Sequence, residues 1–106
     1  MDFVVLIQTT SDQKQTLRKI AARLLEQKIA ACCQISGPIE SHYEWQGQLK
    51  TSTEWTCSIK TVQSAIEQVS ETIQANHNYE LPEIICTPVA VGDTRFLDWV
   101  REQSGG

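Results

Sequence analysis

The chain has 106 residues, a formal net charge of -4 and a pI near 5.0. Because a chain of this length holds one hydrophobic core, we expect a single domain over residues 1–106. Its nine Lys and Arg residues are scattered, which argues against nucleic-acid binding, and its longest apolar run, residues 3–7, is too short to span a bilayer. We therefore expect a cytoplasmic protein that binds neither nucleic acid nor a membrane.

The first two predicted elements are a strand and an amphipathic helix. Residues 3–9 are continuously apolar and β-branched, which is typical of a central strand. Apolar residues then recur at helical spacing over residues 17–25, and Lys28 continues the spacing. This segment predicts a helix that is capped by Thr10 or Ser11 and packs one face on the sheet.

A second strand is predicted from Cys32, where the pattern changes to a period of two residues. Gly37-Pro38 interrupts the alternation. Because Pro cannot donate to a strand ladder and Gly favours a bend, we expect a bulge or bend there. After the break, alternate residues share one face: Ile39, Ser41, Tyr43 and Trp45.

The third strand returns from this arm and completes a long hairpin. We predict a three-residue loop over residues 46–48, because an odd loop places Trp45 opposite Leu49. The same register places Ile39 opposite Trp55. The apolar and aromatic side chains of both strands would then share one face.

The rest of the chain predicts a helix, a strand and a short final helix. Thr61 is expected to cap a helix that ends near Asn76, and residues 77–82 form a polar connection. We predict a strand over residues 83–91. Pro88 within this strand favours an edge position or a bulge. A short helix covers residues 96–100, and we expect a frayed tail over residues 103–106.

The predicted element order is βαββαβ with a final short helix. Two interleaved right-handed crossovers give an antiparallel four-stranded sheet with both main helices on one face, which is a ferredoxin-like α+β sandwich. Beyond the break, each hairpin strand adds roughly eight residues, or about 26 Å, more than the helices can cover. Such an arm is an aggregation hazard unless another subunit covers it. We therefore expect a homo-oligomer whose interface includes Ile39, Tyr43, Trp45, Leu49 and Trp55.

Copper and zinc prefer thiolate and imidazole ligands, and the chain has four Cys and two His. His77 and Glu80, three residues apart, would approach one ion in a helical turn, and Cys32 or Cys33 would join them only through the fold. The alternative is a structural histidine that satisfies backbone groups and orients the turn. Since Cys32 and Cys33 point to opposite faces of a strand, we expect Cys32 to be buried and inert and Cys33 to be reactive or metal-ligating.

The sequence does not predict an enzyme. Tyr79, Glu80 and Glu83 lie close together in sequence, yet they do not combine a nucleophile with a histidine and a carboxylate in a recognisable arrangement. A hydrogen-bonded turn at a subunit contact is the better interpretation of these three residues.

A known family shares several short segments with this chain in the same order and spacing. They are Thr9-Thr10, Ile29-Ala-Ala-Cys32, Tyr43-x-Trp45-x-Gly47, Ile59-Lys-Thr61, His77-x-Tyr79-Glu80-x-Pro82-Glu83-Ile84-Ile85 and Leu97-Asp-Trp99. Through them the chain resembles the CutA proteins, the divalent-cation tolerance family, over nearly its whole length. The sequence departs from the family pattern at Gln34, where Asn is frequent, at Asn78, where Pro is frequent, and at Cys33, an added thiol.

The resemblance implies a ferredoxin-like homotrimer that assembles through the long hairpin and associates with copper or another divalent cation, without a required cofactor. It also implies structural similarity to the trimeric PII signalling proteins. This gives an alternative function, a signalling or adaptor trimer that binds a small ligand or a partner protein in clefts between subunits. Tyr79, Glu83 and Lys60 are the expected cleft residues.

Overall fold

The structure, a computed structural model, describes residues 2–105 and has the predicted ferredoxin-like α+β architecture. The four strands form one antiparallel sheet in the order β2-β3-β1-β4, and a 3-10 turn over Gln63–Ala65 precedes the second helix. The elements are β1 (Val4–Ser11), α1 (Lys14–Glu26), β2 (Cys32–Trp45), β3 (Gln48–Val62), α2 (Ile66–Asn76), β4 (Ile85–Pro88) and α3 (Thr94–Ser104). No helix formed by residues 2–105 has the length and apolar character needed to cross a bilayer.

The hydrophobic core lies between one face of the sheet and the helices α1 and α2. Ile7 of β1 and Ile59 of β3 are fully buried there. The helices contribute buried side chains at helical spacing, namely Leu17, Ile20, Leu24, Val69 and Ile73. Because side chains alternate across a strand, the neighbours of Ile7 and Ile59 point to the opposite side of the sheet. We call that side the open face; it includes Thr10, Cys32, Tyr43, Glu54 and Lys60.

Both predicted helix caps are wrong, because the two hydroxyl residues belong to strands. Ser11 ends β1, and its Oγ accepts a hydrogen bond from the backbone N–H of Gln13 at 3.0 Å. Thr61 is buried in β3, where its hydroxyl donates to the carbonyl oxygen of Ile29 at 2.6 Å. Lys28 also lies outside α1, in a left-handed conformation with φ 57°.

The hairpin turn has two residues, so the predicted three-residue loop is wrong. Trp45 pairs with Gln48, and the turn residues Gln46 and Gly47 both have positive φ, 51° and 78°. Two consecutive residues with positive φ are typical of the type I′ turn, whose twist matches that of the flanking strands. This match favours the shorter loop.

The two-residue turn divides the predicted common face of the hairpin. Ile39 pairs with Glu54, so Ile39, Tyr43 and Trp45 lie on the open face. Leu49 pairs with Glu44 and lies on the opposite side, together with the side chain of Trp55, which packs against the core. The prediction that all five apolar side chains share one face is therefore wrong.

The predicted irregularity at Gly37-Pro38 is confirmed as a bulge. Two residues of β2 stand opposite Trp55 alone, which shifts the alternation of β2 by one residue. Gly37 has φ 131°, and a Cβ atom there would lie 2.9 Å from Cδ1 of Trp55 and 3.1 Å from the carbonyl oxygen of Glu54. The close approach of the two strands therefore requires glycine.

In the C-terminal third, the predicted edge position of the last strand is confirmed, and the last helix is longer than predicted. Strand β4 is at the sheet edge but covers only Ile85–Pro88, and α3 is capped by Asp93, which accepts from the N–H groups of Arg95 and Phe96. The tail predicted over residues 103–106 begins later, because α3 reaches Ser104 and buries it. Gly106 lies outside the described residues.

Candidate functional site

A groove of about 740 Å³ lies on the open face, between the hairpin and residues 78–83. The hairpin contributes Tyr43, Trp45 and Lys50 to its walls, and residues 78–83 contribute Tyr79 and Glu83. We call it the hairpin groove. Two of the predicted cleft residues, Tyr79 and Glu83, therefore come together here.

Glu54 of β3 is a buried carboxyl group in the wall of the hairpin groove, with 7% of its surface exposed. Its Oε2 accepts a hydrogen bond of 2.5 Å from the hydroxyl of Tyr79, which itself accepts one from the backbone N–H of Asp12 at 2.8 Å. Burial and the adjacent Glu54 raise the pKa of Tyr79 well above its usual range. The phenol thus keeps its proton and remains a donor to Glu54.

His77 holds the turn that precedes the groove. Its Nε2 donates to the carbonyl oxygen of Thr10 at 2.8 Å, and its Nδ1 accepts from the backbone N–H of Tyr79 at 2.9 Å. These two bonds assign the proton to Nε2 and use both ring nitrogens. The geometry supports the alternative that His77 is a structural histidine.

Residues 78–83 are tied to the end of β1 by further side-chain contacts. Asn78 accepts from the hydroxyl of Ser11 at 2.6 Å and donates to the carboxylate of Asp12 at 2.8 Å. Glu83 accepts from the side-chain amide of Gln8 at 2.8 Å. Asn78, which departs from the family pattern, thus has a specific role in placing this wall of the groove.

The two neighbouring cysteines face opposite sides of the sheet, but the inward one is Cys33. Cys33 packs against the core, and a hydrogen bond with Cys57 raises the pKa of its thiol far above the usual range, with burial adding to the effect. Cys32 pairs with Lys60 and lies half-buried on the open face. The expectation that Cys32 is the buried thiol is therefore wrong.

The predicted metal ligands do not form a metal site within one chain. Over residues 2–105, no three His, Cys, Asp or Glu side chains converge in a group that could hold an ion. Both ring nitrogens of His77 are hydrogen-bonded, and the thiol of Cys33 is hydrogen-bonded to Cys57, so Cys32 and Glu80 remain available. These residues do not fit a three- or four-coordinate site for copper or zinc in a single chain.

The lining of the hairpin groove differs from the predicted cleft at two residues, Lys60 and Glu54. Lys60 is not in the hairpin groove; its ammonium group donates to Oε1 of Gln34 at 2.5 Å, farther along the open face. Glu54, in contrast, is in the groove but was not predicted. A two-residue loop would have shown that Glu54 shares a face with Tyr43, so the assumed loop length concealed it.

A family profile described as "CutA1 divalent ion tolerance protein" matches residues 5–103. The chain belongs to the CutA family. Its membership confirms the resemblance found in the sequence motifs.

CutA relatives are found in bacteria, archaea and plants. The divalent-cation tolerance protein CutA of Thermus thermophilus is 38% identical over 105 residues, which cover 99% of this chain and 100% of the relative. The chloroplastic CutA of Arabidopsis thaliana is 34% identical over 100 residues, which cover 94% of this chain and 55% of the relative. The chain thus spans about half the length of the plant relatives it matches.

Solved CutA structures have the same fold. The divalent cation tolerance protein of Thermus thermophilus superposes with a TM-score of 0.90 at 37% identity, covering 99% of this chain and 100% of that one. The protein of Archaeoglobus fulgidus, described as periplasmic, gives 0.91 at 35% identity, with 95% and 98% covered. These CutA names describe cation tolerance and not a catalytic activity.

Proposed function

We propose that this CutA-family chain is a cytoplasmic homotrimer that binds divalent metal ions, copper first among them, and so contributes to divalent-cation tolerance. It acts by binding rather than by catalysis and requires no organic cofactor. The observation that carries the proposal is the family match over residues 5–103, since the family is described by divalent ion tolerance.

The hairpin supports the oligomeric part of the proposal. Ile39, Tyr43 and Trp45 lie together on the open face with 40%, 43% and 41% of their surfaces exposed. Strands β2 and β4 are both sheet edges. Exposed apolar side chains beside open strand edges promote association, and a closed symmetric assembly removes both hazards. A trimer is the symmetric assembly that the family resemblance implies.

The metal part of the proposal requires ligands from more than one subunit. Residues 2–105 of one chain provide no group of three suitable donors, while Cys32 presents a soft thiol on the open face, where another copy would pack. Thiolates favour copper and zinc over harder cations. We therefore infer that Cys32 and Glu80 contribute to a site that is completed by assembly.

Calorimetric titration of the oligomer with Cu²⁺, and in parallel with Zn²⁺, which does not oxidise thiols, tests this proposal. We expect stoichiometric binding that weakens at least tenfold in Cys32→Ser. The matched control is Cys86→Ser, which removes another accessible thiol, from the edge strand β4. Unchanged binding in Cys32→Ser would remove this residue from the site, and no binding in the wild type would contradict a metal-binding function.

The hairpin groove supports a second candidate, a PII-like signalling or adaptor trimer that binds a small ligand or a partner protein in clefts between subunits. Its volume of about 740 Å³ is in the usual range of ligand pockets. A ligand that binds the folded protein raises its melting temperature. If a small ligand raises the melting temperature of the metal-free oligomer and copper does not change it, this candidate is favoured over the first.

A further inference from the structure

The carboxyl group of Glu54 has no positive partner within the described chain. Tyr79 donates to its Oε2, but among residues 2–105 its Oε1 has no hydrogen-bond partner, and no Lys, Arg or His forms an ion pair with it. A buried carboxylate that lacks a positive partner is costly. Oε1 of Glu54 is therefore an acceptor without a protein partner among residues 2–105, in the wall of a groove large enough for a ligand.

Other charged side chains in the hairpin groove add to the negative potential. Glu80 and Glu83 join Glu54 in lining it, against the cation Lys50 and the imidazole of His42. The partner that Glu83 binds is a neutral amide, and His42 itself pairs with a carboxylate on the hairpin at 2.9 Å. Carboxylates thus outnumber cations, and the groove is suited to a positively charged occupant.

We propose that the hairpin groove binds a small organic ammonium ion, with the Glu54 carboxylate as its anionic contact; this assignment rests on the second candidate function above. The ammonium group donates to Oε1 of Glu54, while Tyr79 keeps Oε2 in place. Tyr43 and Trp45, which border the proposed subunit interface, supply aromatic faces in the cleft between subunits, and such faces attract organic cations.

Within one chain, a metal ion does not satisfy the same site. Metal coordination requires several donors at short distances, and residues 2–105 bring no three such donors together. An organic ammonium requires a single strong acceptor, an apolar wall and room for its carbon skeleton. Glu54, Trp45 and a volume of about 740 Å³ provide these three features.

Calorimetric titration of the metal-free full-length protein with three compounds of similar shape tests the assignment. The probes are phenethylammonium, neutral 2-phenylethanol and anionic phenylacetate. We expect phenethylammonium to bind at least tenfold more tightly than the other two. Glu54→Gln keeps an acceptor for Tyr79 but removes the charge, so it should weaken phenethylammonium binding at least tenfold.

Glu44→Gln is the matched control, because Glu44 is an exposed hairpin carboxylate that does not line the groove. It should bind phenethylammonium as the wild type does. The ammonium assignment would be overturned if the neutral or anionic probe bound more tightly than phenethylammonium, or if Glu54→Gln bound phenethylammonium as tightly as the wild type. Either result would still support a ligand-binding groove. Absence of binding by all three probes would overturn the ligand groove as well, while the copper titration remains a separate test.

A second copy of the chain is the competing source of a cation for Glu54. If a Lys or Arg of another subunit pairs with this carboxylate, Glu54→Gln lowers the mass of the oligomer, and phenethylammonium does not bind. That result would also overturn the proposal. Retention of the wild-type mass by Glu54→Gln, together with loss of phenethylammonium binding, supports it.

Discussion

At the scale of single residues, the polar contacts between Tyr79, Glu54 and the end of β1 determine the shape of the hairpin groove. The Tyr79 hydroxyl connects the Glu54 carboxylate to the backbone N–H of Asp12. His77 fixes the preceding turn through both ring nitrogens. The wall formed by residues 78–83 is therefore held by side-chain contacts and not by a strand or helix.

Tyr79→Phe should destabilise the protein by about 1–3 kcal/mol, because it leaves the buried Glu54 carboxylate without its donor. Urea denaturation at a fixed chain concentration measures the effect. Tyr43→Phe is the control, since the Tyr43 hydroxyl bonds the exposed hydroxyl of Ser52. Equal effects of the two substitutions would mean that Tyr79 does not stabilise the groove wall.

Cys33 should react with iodoacetamide at least tenfold more slowly than an unfolded-chain thiol. The thiolate is the nucleophile, and the hydrogen bond with Cys57 raises the pKa of Cys33, so that raising the pH from 7 to 9 does not activate it. Peptide mass spectrometry after pulsed alkylation checks the rate, and rapid labelling of native Cys33 would contradict it.

The residue scale also shows what the sequence could not provide. The structural role of His77 was one of two alternatives, and local spacing could not choose between them because the partner Thr10 lies 67 residues away in the chain. The side of the sheet that each of Cys32 and Cys33 faces depends on the register of β2 with β3. A long-range register is not encoded in the spacing of two neighbouring residues.

At the scale of elements, the hairpin has two glycines with positive φ but different surroundings. At Gly47, a Cβ atom would meet no heavy atom within 4 Å, whereas at Gly37 it would approach Trp55 and the backbone of Glu54. Substitution of Gly47 therefore costs backbone strain alone. Substitution of Gly37 adds a steric clash within the bulge.

Gly47→Ala should lower the free energy of unfolding by about 1 kcal/mol, the usual cost of a left-handed conformation for a residue with a Cβ atom. Gly47→Asn is the control and should cost less, since Asn tolerates this conformation. Gly37→Ala should cost clearly more than Gly47→Ala. Thermal and urea unfolding measure the three variants, and a reversed order of the two alanine variants would contradict this account of the bulge.

The sequence predicted the elements of the fold better than their register. Hydrophobic periodicity located all four strands, and Gly37-Pro38 correctly indicated the bulge. Periodicity could not show that the bulge shifts the alternation of β2, so the loop length and the common face were both wrong. Glu54 was missed for the same reason, since the loop length decides whether Glu54 shares a face with Tyr43.

At the scale of the whole molecule, the open face of the hairpin is the proposed subunit interface. Trp45→Lys should therefore dissociate the oligomer into monomers at micromolar concentration, because it places a charge among the apolar side chains of that face. Leu25→Lys is the control, since it replaces an apolar side chain that is 47% exposed on α1. Sedimentation velocity measures both variants. An unchanged oligomer in Trp45→Lys, or dissociation by Leu25→Lys, would place the interface elsewhere.

Both proposed functions require that chains assemble through the hairpin, so the native mass of the wild-type protein is the most direct test. Native mass spectrometry of the metal-free protein should show a species of three times the chain mass of 11.9 kDa. A stable species of one or two chain masses at micromolar concentration would contradict the homotrimer.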